Sequence, residues 1–106
     1  MNMVNSFNQL TPPEAERLAL LAEECAEVIH AVGKILRHGY ASTNPDDPNR
    51  HVPSNRGTLT KELGDISAAV WLLVLNSDID QHAMKQHEIH KLRNVKQYMH
   101  YVHKGL

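Results

Sequence analysis

Residues 18–32 read LALLAEECAEVIHAV. Leu18, Leu21, Ala22, Cys25, Val28, Ile29 and Val32 recur at helical spacing, and Ile35 and Leu36 extend the series beyond the quoted stretch. This spacing predicts a long helix with one core-facing apolar stripe. Set into that stretch are Glu23, Glu24 and Glu27, and a second acidic pair, Glu62 and Asp65, stands in the next apolar stretch. Carboxylates buried without compensation cost several kcal/mol each. Brought together they repel unless a cation lies between them, which makes a divalent-metal site the first reading to test.

The boundaries of the first helix are written on either side of the quoted stretch. Thr11-Pro-Pro-Glu14 combines a capping hydroxyl, a proline at the first helical position and a glutamate three residues after the cap. Gly39, after Arg37 and His38, supplies a stop. Gly33 inside the helix lowers its propensity, so its use is expected to be the close approach of a neighbouring helix. Residues 39–57 hold three prolines and no periodicity, and form a loop longer than an ordinary connection, which typically has about 4–6 residues. A second helix is expected from about Leu59 to Leu75, opened by Thr58 or Thr60. A third is expected from a cap on Ser77, Asp78 or Asp80 to near His103.

The fold class that follows is all-α, a single helical domain over residues 1–106 with a long loop at about 39–57. Ala68 to Leu75 is apolar on every side of its helix, and three helices of one small chain can hardly cover it. The expectation is therefore a homodimer or homotetramer whose subunits complete the bundle, unless residues 1–10 fold back as a further element.

Composition excludes several classes. The chain has 106 residues, 42% of them hydrophobic and 22% charged, which gives one modest core and no sign of disorder. A net charge of -1 offers no general case for nucleic-acid or anionic-membrane binding. Charge is unevenly placed: residues 14–27 hold five acids and one base, whereas residues 84–106 hold five Lys or Arg and one Glu. The single Cys25 rules out an intramolecular disulfide and a cysteine-rich zinc site. No apolar run approaches the roughly 20 residues of a membrane span, so a cytoplasmic protein is expected.

At about 100° per residue, Glu23, Glu24 and Glu27 fall within one arc of roughly 100°, with Glu24 at the edge of the apolar stripe. Glu62 and Asp65 are i and i+3 neighbours, and Gly64 between them leaves room for backbone or ligand. Antiparallel packing could place four or five carboxylates around one point. Oxygen-only ligation of that kind suits Mg²⁺ or Mn²⁺ and does not suit structural zinc. The plainer alternative is a solvated acidic face paired with Lys34, Lys61 and Arg17.

Glu23-Glu24-Cys25-Ala26-Glu27 reads as Glu-Glu-x-x-Glu, and Glu62-Leu63-Gly64-Asp65 as Glu-x-x-Asp. With the surrounding text EECAEVIHAVGKILRHG and LTKELGDISAAV, these motifs resemble the MazG-type all-α nucleoside triphosphate pyrophosphohydrolases, relatives of all-α dUTPases and dCTPases. The resemblance covers about residues 11–100. Two departures are visible: the motifs are 34 residues apart, more than the family's usual link, and three long helices are expected where four are common.

The resemblance implies hydrolysis between the α and β phosphates of a (deoxy)nucleoside triphosphate, giving a monophosphate and pyrophosphate. By motif matching, Glu24, Glu27, Glu62 and Asp65 would be the metal ligands. Glu24 belongs to the catalytic centre with Glu23, which would hold a further ion or orient and deprotonate the attacking water. KLRNVKQY resembles the family's basic segment, which makes Lys91, Arg93 and Lys96 candidates for the phosphates and Asn94 and Tyr98 candidates for hydrogen bonding. Arg56 and Lys34 are further candidates of this kind.

Two other readings compete. Glu27-Val-Ile-His30 matches the Glu-x-x-His of carboxylate-bridged di-iron bundles, although a second such pair is missing. A non-enzymatic helical dimer could instead use its basic third helix on nucleic acid or protein. His87-x-x-His90 and His100-x-x-His103 have helical ligand spacing without a third ligand in view. Trp71, roughly 180° from Glu62, is expected in the core or a subunit interface rather than against a base.

Overall fold

The computed structural model describes residues 7–43 and 53–101. It contains α1 (Pro12–His38), α2 (Asn55–Leu75) and α3 (Gln81–Asn94), followed by a 3₁₀ turn over Val95–Tyr98. No strand occurs among the described residues, so the fold is all-α with three helices. None of these helices is long and apolar enough to cross a membrane. The chain divides into two compact units, Met1–Leu73 and Val74–Leu106.

In the first unit, α1 begins where its sequence dictates. The Thr11 hydroxyl accepts from the Glu14 N–H at 3.3 Å, and the Glu14 carboxylate accepts from the Thr11 N–H at 2.7 Å, closing a capping box. It ends at Gly39, whose φ of 86° lies in the region that favours glycine and whose N–H donates to the Ile35 carbonyl at 2.7 Å.

The chain then returns under a short clasp. Asn55 N–H donates to the Ser42 carbonyl at 2.8 Å and Arg56 N–H to the Tyr40 carbonyl at 2.9 Å. The Asn55 side-chain amide donates to the Gly39 carbonyl at 3.0 Å. The end of α1 and the start of α2 are thereby held side by side. Helix α2 starts at Asn55, earlier than the threonines at 58 and 60 would place it, because the Ser54 hydroxyl accepts from the Gly57 N–H at 3.2 Å and serves as the cap. Residues 55–57, expected in the loop, are therefore helical, and residues 44–52 lie outside the described ones.

The expected single apolar stripe of α1 divides in two. Arg17, Leu21, Glu24, Val28, Ala31 and Ile35, alternately four and three residues apart, are covered or half-covered. Leu18, Ala22, Cys25, Ile29, Val32 and Leu36 repeat the same spacing one residue later and are exposed, Ile29 at 72% and Leu36 at 81%. A stripe this wide exceeds the arc that one packed neighbour covers. On α2, Ala69 and Leu73 are buried while Trp71 is half exposed, so the indole is not a core residue of the single chain. A β-carbon at Gly33 would meet nothing within 4 Å, so no described helix of the single chain approaches closely there.

In the second unit, the Asp80 carboxylate accepts from the Ala83 N–H at 3.0 Å and caps α3. The helix stops well before His103, which itself lies outside the described residues. The Asn94 amide donates back to the His90 carbonyl at 2.8 Å, the chain tightens into the 3₁₀ turn, and Met99 is extended.

Candidate metal centre

Helical spacing brings one acid of α1 onto two of α2. Glu24 belongs to the covered stripe of α1, and Glu62 and Asp65 occupy successive turns of α2. One carboxylate oxygen from each of these three lies within 4.8 Å of the others. The Glu62 side chain is only 12% exposed and that of Asp65 41%, so the group sits at the edge of the covered region and opens to solvent on the Asp65 side.

The electrostatics are those of crowded like charges. The Glu24 carboxyl is held above its ordinary value of 4.5, first by loss of solvent and then by Asp65, Glu62 and Glu23, with Lys61 opposing. Lys61 places a cation beside the group: its Nζ lies 2.9 Å from Asp65 Oδ2 and 3.4 Å from Glu62 Oε1. Its ammonium is held above the ordinary lysine value by the hydrogen bond and charge of Asp65, then by Glu62.

The donor set fits a hard divalent cation. Oxygens around one Mg²⁺ lie about 2.0–2.1 Å from it, so no two are more than about 4.2 Å apart. The carboxylate atoms, within 4.8 Å of one another, would draw in around such an ion, adjacent ligands coming to about 2.9 Å. All three ligand atoms are oxygen, and no histidine joins them among the described residues. The Glu27-x-x-His30 reading would require one, since a carboxylate-bridged iron pair takes histidine ligands.

The other sequence candidates are placed as follows. Glu23 and Glu27 are exposed on α1, outside the group formed by Glu24, Glu62 and Asp65. Lys34 is exposed one turn before the end of α1. Arg56 stacks over the Tyr40 ring at 4.9 Å, as part of the clasp between the helices. Lys91, Arg93, Asn94, Lys96 and Tyr98 belong to the second unit, where Lys91 Nζ lies 4.7 Å from the centre of the Tyr98 ring. Lys61, an ordinary ion-pair partner by sequence, contacts two of the three carboxylates of the group. Its i, i+4 spacing to Asp65 was the available signal.

An all-α chain whose paired helices bring three carboxylates to one point defines a helical protein with an acidic, cation-binding type of centre. The family model of the MazG nucleotide pyrophosphohydrolase domain matches residues 13–100, and the chain belongs to this family. No curated protein and no solved structure gave a significant match.

Proposed function

We propose that this protein hydrolyses the α–β phosphoanhydride bond of a (deoxy)nucleoside triphosphate, releasing a monophosphate and pyrophosphate. The convergence of Glu24, Glu62 and Asp65 within a matched MazG domain carries this reading. Mg²⁺, with Mn²⁺ as a substitute, would be held by these three and by Glu27, which stands one turn from Glu24 on α1. When bound, such an ion neutralises charge on phosphate oxygens and orients water.

The chain's own groups supply the rest. Glu23 is exposed beside Glu24 and is the group assigned to orient and deprotonate the attacking water. Lys91, Arg93 and Lys96 provide positive charge for the phosphates, with Asn94 and Tyr98 as hydrogen-bonding partners and Arg56 and Lys34 as further cations. The exposed stripe of Leu18, Ile29, Val32 and Leu36 supports assembly into a homodimer or homotetramer, because apolar surface repeated at helical spacing along a whole helix is costly to leave in water.

The test is a panel of ribo- and deoxyribonucleoside triphosphates incubated with the protein and Mg²⁺ or Mn²⁺, with identification of the products. Monophosphate and pyrophosphate are expected. Failure of a folded, metal-loaded sample to turn over any of them would sink the proposal.

A further inference from the structure

Lys61 is an unusual neighbour for a metal centre. It precedes Glu62 in the chain and lies one helical turn before Asp65, and its ammonium reaches both at 3.4 and 2.9 Å. Those two carboxylates are also the α2 half of the group that includes Glu24. The ammonium therefore supplies, from outside, part of the compensation that a cation among the three oxygens would supply from inside. The two cannot serve together at full strength. A divalent ion within about 2 Å of the Asp65 carboxylate would face the ammonium at a few ångströms, and like charges at that range repel.

The lysine can also leave at little cost. Its side chain is 66% exposed, and an exposed ion pair contributes little to stability. We infer that Lys61 is a built-in counter-ion, which holds Glu62 and Asp65 together in the metal-free protein and is displaced as a divalent cation enters. This rests on the proposed metal centre and assigns Lys61 a positioning role towards it. The lysine competes with the metal, so the apparent affinity of the site is set partly by a residue that does not ligate.

Titration calorimetry with Mn²⁺ alone, on the wild type and on Lys61→Met, Lys61→Gln and Lys61→Arg, reads this directly. The two neutral variants should bind Mn²⁺ about two- to fivefold more tightly, as expected for release from one exposed ion pair, and the arginine variant should stay near wild type. Melting curves supply a second readout. The neutral variants should melt below wild type without metal and level with it when saturated, so that the metal-induced shift grows.

Equal or weaker Mn²⁺ binding by the neutral variants, with binding intact in the wild type, would overturn the inference. So would an equal loss of melting temperature with and without metal, which is what a merely structural ion pair would give. A wild type that binds no Mn²⁺ would remove the metal centre itself, and the role of Lys61 with it.

Discussion

Glu24 of α1 and Glu62 of α2 face one another with carboxylate oxygens within 4.8 Å, and Asp65 closes the triangle. The metal-free protein bears a cost for this arrangement. Because the Glu24 carboxyl is raised above 4.5, the folded state binds more protons than the unfolded chain between about that pH and its own raised titration point. Stability accordingly falls as pH rises through this range, and the penalty stays at neutral pH. Glu24→Gln removes the ionisable group at almost constant volume. In chelator-treated samples it should melt level with wild type near pH 4 and increasingly above it towards pH 7. A variant that melts below wild type at pH 7 would contradict this.

With Mg²⁺ present the same variant should behave in the opposite sense. Glu24→Gln and Asp65→Asn are each expected to lower turnover by at least about a hundredfold, in line with loss of an electrostatic group at a catalytic centre. Glu27→Gln should chiefly weaken metal binding. Glu23→Gln should lower the rate at saturating metal while leaving metal affinity near wild type. Steady-state rates over a Mg²⁺ titration separate these outcomes, and full activity of both Glu24→Gln and Asp65→Asn would show that the centre lies elsewhere.

The parts of this fold that were legible in sequence are those determined locally. The Thr11 capping box and the Gly39 stop need only residues within a turn of one another and form as the sequence indicates, and of the three caps open to α3, Ser77, Asp78 and Asp80, it is Asp80 that serves. The convergence of acids was legible as a possibility because helical spacing fixes which residues share a face. What spacing alone could not tell was which part of a wide apolar arc would be covered. Leu21, Val28 and Ile35 went one way, and Leu18, Ile29 and Leu36 the other. The early start of α2 is not legible in sequence for a similar reason: Asn55 is stabilised by carbonyls of residues 39 and 42, which are distant in sequence.

That clasp can be tested through Asn55. Its side-chain amide satisfies the Gly39 carbonyl just beyond the end of α1. Asn55→Ala should cost about 1 kcal/mol, the usual net value of one hydrogen bond, read as a lower denaturation midpoint with an unchanged slope. Asn55→Asp cannot donate to the carbonyl and should be no better than alanine. A neutral effect of both would mean that the backbone bonds of Asn55 and Arg56 hold the helices unaided.

Gly33 gives a prediction of the other sign. It lies mid-helix with open space where a β-carbon would stand. Gly33→Ala should stabilise the protein by about 0.5–1 kcal/mol through helix propensity and loss of freedom in the unfolded chain. Thermal melts at low protein concentration test this. Destabilisation that deepens as concentration rises would show that a second copy approaches α1 at this glycine.

The exposed stripe of α1 places the sharpest demand on the proposed assembly. Ile29 is 72% exposed and Leu36 81% exposed, so a charge at either position costs the isolated chain little. In an interface the same charge would be desolvated without a partner, at several kcal/mol. Ile29→Lys and Leu36→Lys should therefore keep the helical circular-dichroism signal of the wild type while sedimenting as smaller species. If the stripe is the surface on which subunits meet, each variant should lower the association constant by at least a hundredfold, and the double variant should be monomeric at micromolar concentration. Unchanged sedimentation of an oligomeric wild type and both variants would place the interface on another face, with Trp71 and Leu75 of α2 the next exposed apolar residues to charge.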